Sequence, residues 1–174
     1  MEASYRFTKH RKFLEAISMR SMKKGFTLVE ILIVVIILGI LAAIVIPQFT
    51  QASDDARKSA LQSDLQTVRS QLELYRVQHG DYPCNKYTGG AWVADTANFL
   101  ARLTGTSDAT GDITKTGCGP YLQKFPTNAF SATATVKFGD GTGVGAGTEG
   151  WYFYSTAGTN YGKFCPNDAA HTGL

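Results

Sequence analysis

Apolar positions follow three patterns along this chain. From Phe26 to Ile46 every residue is apolar except Thr27, Glu30 and Gly39. At ~1.5 Å per residue a helix of that length extends about 31 Å, enough to cross the hydrocarbon core of a bilayer. Beyond Pro47 neither glycine nor proline occurs until Gly80, and Leu61, Leu65, Val68, Leu72 and Tyr75 recur at helical spacing, with Lys58, Asp64, Arg69, Glu73 and Arg76 largely on other faces. The two stretches predict one helix from Thr27 to about His79, apolar on all sides in its first half and amphipathic in its second, roughly 80 Å long at the standard rise.

Two residues soften this helix. Pro47 has no N–H to donate to the Ala43 carbonyl, and Gly39 lowers helix propensity. The segment between them is either a static kink or a place where the helix can locally extend. Gly80-Asp81-Tyr82-Pro83 ends the helix with a boundary glycine and a nearby proline.

A short second helix is expected next, capped by Asp95 or Thr96, with Ala97, Leu100 and Leu103 on one face and Gly105 at its close. Gly105 to Gly119 reads as loop. The third pattern is strand-like: Thr133 to Phe138, Trp151 to Ser155 and Tyr161 to Cys165 are short, aromatic and β-branched, separated by glycine-rich turns. A three-stranded antiparallel sheet packed on the amphipathic half of the first helix is the expected architecture. The fold class is therefore α+β.

Charge adds a topology. The net charge of the 174 residues is +3, but Arg6, Lys9, Arg11, Lys12, Arg20, Lys23 and Lys24 crowd the segment before Phe26, and the remainder carries a slight excess of acid. This basic balance belongs to a leader and gives no reason to expect nucleic acid. Asp54 and Asp55 follow the apolar run, so the positive-inside rule puts the N-terminus in the cytoplasm and the bulk of the chain outside it. The expected organisation is a leader at 1–25, a membrane helix at 26–46 and an extracytoplasmic domain at 47–174. An ordinary secretory signal fits less well, because the run exceeds the usual ~7–15 residues and no clean A-x-A follows. Residues 1–21 are either a long cytoplasmic leader or precede a start at Met22, and they are set aside from fold reasoning.

Glu30 is the anomaly in the run. A carboxylate inside a membrane helix costs roughly 2.5–3.5 kcal/mol on insertion scales, so it calls for a partner or a task. Lys23-Lys24-Gly25-Phe26-Thr27-Leu28-Val29-Glu30 suggests both. Cleavage after Gly25 would create a charged α-amino group on Phe26, one helical turn from that carboxylate.

This stretch, with Gly39 and Pro47, resembles the N-terminus of type IV pilins and type II secretion pseudopilins. The resemblance implies that a membrane-embedded prepilin peptidase cuts after Gly25 and methylates Phe26, that Glu30 pairs with the Phe26 amine of a neighbouring subunit, and that the segment from Gly39 to Pro47 loses helical structure on assembly. A pair within one chain is the alternative. It further implies a homopolymer with other pilin-like subunits, built by an inner-membrane assembly platform and its cytoplasmic ATPase. Tyr75 to Pro83 and Gly119 to Pro126 look most like a major pseudopilin. A type IV or competence pilus subunit is the runner-up, and a single-pass membrane protein with a monomeric binding domain is the alternative of another class.

In that subfamily a C-terminal loop binds calcium through acidic side chains and carbonyl oxygens. Here Tyr154 to Asn160 lacks the acidic cluster, and Asp140, Glu149 and Asp168 are scattered, so no cofactor is expected. Cys84, Cys118 and Cys165, expected in an oxidising space, leave three pairings open. Cys84 with Cys118 is favoured because it would close the glycine-rich excursion; Cys118 with Cys165 is what the resemblance suggests, since many pilins tie down their C-terminal region. The three thiols with His79 match no short zinc motif. His10, His79 and His171 lie far apart, and no nucleophile elbow, phosphate loop or metal-binding helix appears, so no catalytic residue is assigned. Trp151 to Tyr154 are expected to lie half in the core and half on the surface by strand alternation.

Overall fold

A computed structural model describes residues 25–174. The leader, apart from Gly25, lies outside the described residues. The chain forms two compact units, the first ending at Gln48 and the second running from Phe49 to Leu174.

Helix α1 spans Leu28–His79, 52 residues with Pro47 inside it. In the first unit its side chains are exposed on every face, apolar as they are. In the second unit Leu61, Leu65, Val68, Leu72 and Tyr75 are all buried and His79 continues their stripe. The helix stops at Gly80, whose φ of 89° is the left-handed conformation that lets its N–H return to the Arg76 carbonyl at 2.8 Å.

An unexpected hairpin follows. Strands β1 (Asn85–Thr88) and β2 (Ala91–Ala94) pair antiparallel with Tyr87 opposite Trp92. Gly89 and Gly90 supply the two positive-φ positions of a two-residue turn, and this glycine pair is the signal that the sequence reading passed over.

The second helix is a 3-10 turn at Thr96–Asn98 running into α2 (Phe99–Thr104). Its buried face is Phe99, Arg102 and Leu103, whereas Leu100 and Ala97 are exposed. Of the expected face of Ala97, Leu100 and Leu103, only Leu103 is buried. Asp95 does not cap through its side chain. It forms an ion pair with Arg102 instead.

Strands β3 (Val136–Gly139), β4 (Trp151–Tyr154) and β5 (Phe164–Pro166) form the larger sheet in that order. Strand β5 runs antiparallel to β4, but β3 runs parallel to it where an antiparallel neighbour was expected. The segment between Gly139 and Trp151 is long enough to carry the chain back to the starting end of the sheet, so β4 begins beside the beginning of β3.

Core packing follows one face of this sheet. Trp151 and Phe153 join the stripe of α1, Phe99, Leu103 and Phe164 in a single buried cluster, with Trp151 stacked on Phe164 at 5.2 Å and Phe99 lying 5.1 Å from Phe153. The opposite face of β4 is not surface. Tyr152 is buried, and its hydroxyl accepts the N–H of Gly141 at 2.9 Å from the glycine-rich β3–β4 loop lying over it. Gly141 combines a φ of 107° with a ring carbon of Tyr154 only 2.6 Å from where a Cβ would stand, so the loop can approach this closely only without a side chain there.

Candidate processing and assembly site

The proposed cut lies in irregular chain just ahead of α1. Gly25, Phe26 and Thr27 precede the helix without regular structure. Among the described residues nothing lies within 4 Å of the position a Gly25 side chain would take, and Phe26 is 77% exposed.

Thr27 opens the helix. Its hydroxyl oxygen accepts the Glu30 N–H at 3.2 Å, and its carbonyl accepts the Ile31 N–H at 3.3 Å. Thr27 and Glu30 therefore stand at the N-cap and third helical positions, the spacing of a capping box. This end of the helix macrodipole favours a negative side chain, which fits the presence of Glu30 in the first turn. Among the described residues the Glu30 carboxylate has no cationic partner.

Gly39 and Pro47 both lie inside α1, and among the described residues nothing lies within 4 Å of the place a Gly39 side chain would take. The Leu28–His79 helix contains a window apolar and long enough to cross a membrane. Its exposed Leu, Ile and Val side chains from Leu28 to Ile46 are the surface such a crossing or a helix–helix assembly would cover.

No cysteine pair is seen among the described residues. Cys84, Cys118 and Cys165 are free thiols, the first and last buried. Cys84 lies 3.9 Å from the Tyr161 hydroxyl, and burial pushes its thiol up to about 11. The excursion that a Cys84–Cys118 bridge was expected to close is held by other means. Ser107 and Cys118 exchange backbone hydrogen bonds at 3.1 and 2.8 Å. The buried Arg102 guanidinium donates to the carbonyls of Gly111, Pro83 and Asp95 at 2.8, 2.8 and 2.9 Å and pairs with the Asp95 carboxylate. Burial works to raise the Asp95 pKa, but hydrogen bonds from Asn98 and the Arg102 guanidinium outweigh it and hold the group below the usual carboxylate value. A charged residue on a short helix normally reads as surface, so the sequence carried no sign of this clasp.

His79 takes part in a second buried cluster. Its Nε2 lies 2.9 Å from the Tyr121 hydroxyl and its ring stacks on Tyr75 at 3.9 Å. Burial lowers its pKa, with the backbone of Ala109 and Asp108 opposing. The Tyr75 hydroxyl, His79 Nδ1 and Ser107 hydroxyl are buried close together in this cluster, with no well-formed hydrogen bond to them among the described residues.

The residues available to calcium do not suit it. Asp140 accepts the Thr142 N–H at 2.8 Å, while Asp168 faces His171 and receives the Asn128 amide at 3.3 Å. Among the described residues no three His, Cys, Asp or Glu side chains gather as metal ligands.

Residues 20–46 match the family model described as the prokaryotic N-terminal methylation motif. The chain is 41% identical over 64 residues to the type II secretion system core protein G of Pseudomonas aeruginosa, an alignment covering 37% of this chain and 45% of that one. It is 37% identical over 75 residues to the core protein G of Dickeya chrysanthemi, covering 43% and 49% respectively. A fimbrial protein of Neisseria meningitidis is 35% identical over 72 residues, covering 41% and 42%. The chain thus spans less than half the length of these relatives, and no solved structure matches it. This chain carries the prokaryotic N-terminal methylation motif at residues 20–46 and resembles the major pseudopilins of type II secretion.

Proposed function

We propose that this chain is a structural subunit of a type II secretion pseudopilus. It is made as a single-pass inner-membrane precursor with its N-terminus in the cytoplasm, cut after Gly25 by a prepilin peptidase and methylated on Phe26. An inner-membrane platform and its cytoplasmic ATPase then polymerise it with other pilin-like subunits through α1. Its role is mechanical rather than catalytic.

One observation carries this reading: an exposed Gly25-Phe26 junction directly precedes a Thr27-capped helix whose apolar surface is interrupted by the Glu30 carboxylate. Packing such helices together removes their apolar surface from lipid and leaves Glu30 in need of a cation, because an uncompensated buried charge is strongly destabilising. A new Phe26 amine supplies that cation, and a pair formed between neighbours fixes their axial register. The segment from Gly39 to Pro47 then gives the helix room to extend as it leaves the bilayer.

Deletion of the gene tests the assignment. The pseudopilus reading expects loss of protein secretion with twitching and DNA uptake intact. The similarity to the Neisseria fimbrial protein favours one second reading, a type IV pilus subunit. Loss of twitching or DNA uptake with normal secretion would select it.

A further inference from the structure

We propose, on the pseudopilus reading and its Glu30 pairing between subunits, that residues 54–58 of α1 form a second contact with a neighbouring copy of this chain. In that contact Asp54 and Asp55 of one copy lie beside Arg57 and Lys58 of the next.

An uncovered stretch of helix supplies the surface. Residues 49–60 are helical and every one of them is exposed, and burial against the domain begins only at Leu61. About three turns of helix without a packing partner are marginal in water, because helices in proteins draw most of their stability from a buried face. Such a stretch calls for a cover. It also continues, along the same helix, the exposed apolar surface at residues 28–46 that polymerisation would bury.

Charge identifies the cover as a second copy. Asp54-Asp55 is followed by Ala56 and then by Arg57-Lys58, so an acidic pair precedes a basic pair on one short block. Asp54 and Lys58 stand at a spacing at which side chains can meet along one helix, yet none of the four charges joins an ion pair among the described residues. A copy carrying the same block, suitably displaced, offers each charge its opposite.

The displacement follows from the N-terminal pair. Where the Phe26 amine of one copy meets Glu30 of the next, the two helices are offset by about four residues, or roughly 6 Å at the helical rise. Copies related by one screw operation are displaced equally along its axis at every residue, so Asp54 of the first comes level with Lys58 of the second. Alignment without an offset would set acid against acid and base against base, which is repulsive. The block therefore favours the staggered register and penalises the level one.

The test uses two full-length copies with different tags, expressed with the prepilin peptidase and the assembly platform in cells lacking the unsubstituted gene. One copy carries Asp54→Lys with Asp55→Lys, and the other Arg57→Asp with Lys58→Asp. Each alone should be cut after Gly25 yet give at least about tenfold fewer filaments, because like charges are brought level. Together they should restore filaments containing both tags, since every contact then joins a wholly basic block to a wholly acidic one. Normal yield from either copy alone, or no restoration by the mixture, would overturn the contact. Cross-linking decides the matter even if the reversals prevent folding. In a Cys118→Ser background, which removes the cysteine that is not buried, Asp54→Cys on one copy and Lys58→Cys on the other should be joined by a short bismaleimide several-fold better than two Asp54→Cys copies. Equal joining would overturn the register. An unsubstituted chain that keeps its leader and makes no filaments removes the pseudopilus reading as well, whereas a cut, filament-forming chain that fails these tests removes this contact alone.

Discussion

Thr27 caps the helix in which Glu30 stands at the third position, through a 3.2 Å hydrogen bond from the Glu30 N–H to the Thr27 hydroxyl oxygen. The contact uses the backbone of Glu30 and leaves its carboxylate available. Capping and the proposed subunit pairing are therefore separable at one turn of helix.

Separate substitutions distinguish them. Thr27→Ala removes a side-chain cap worth about 1 kcal/mol, and it should loosen the first turn while filaments still form. Glu30→Ala should still be cut after Gly25 but fail to assemble, or assemble poorly, because the new amine has lost its carboxylate. Filament yield by electron microscopy, with processing followed by mass, checks both. Normal filaments from Glu30→Ala would sink the pairing idea.

Arg102 should prove more important to stability than any cysteine. It bridges Asp95, Pro83 and Gly111 while almost wholly buried, and removing one partner of a buried ion pair costs about 3–5 kcal/mol. Arg102→Ala should lower the urea midpoint by a corresponding amount, and Arg102→Lys should restore little, since an ammonium cannot reach the same fan of acceptors. Cys118→Ser should leave the midpoint nearly unchanged, in keeping with a free thiol.

His79 gives the domain an acid sensitivity in the range just below neutrality. Burial holds its folded pKa below the usual value near ~6.5, so the unfolded chain binds the extra proton first. Its contribution is fully present above the unfolded value and is lost as pH falls from there toward the folded one. The groups facing it oppose one another: Asp108 favours the charged ring, while Arg102 and the packing of Tyr75 and Tyr121 do not. Urea midpoints should fall between about pH 7 and pH 5, and His79→Gln should flatten that slope. The aspartates held low, such as Asp95, lose their contribution only at more acid pH.

Legibility in the sequence tracked the range of the physics involved. The stripe from Leu61 to Tyr75 was readable because a helix repeats every few residues, so neighbours in sequence report the buried face. The motif from Gly25 to Glu30 was readable because a carboxylate in an apolar run conflicts with its surroundings. Arg102 was not, because its partners come from Pro83, Asp95 and Gly111, and no local pattern records that convergence. The parallel pairing of β3 with β4 was hidden for the same reason, since the strands look alike in either direction and the loop between them decides. Gly89-Gly90 was a local signal, legible in principle and passed over.

The central claim is that the chain is cut at Gly25 so that Glu30 acquires a partner. The measurement that tests it most directly is the N-terminal mass and sequence of the protein recovered from membranes of cells with and without prepilin peptidase. The account predicts a mature chain beginning at N-methylated Phe26 when the peptidase is present and an intact leader when it is absent. A chain that keeps its leader in both strains, or one that begins after Ala52, would contradict it.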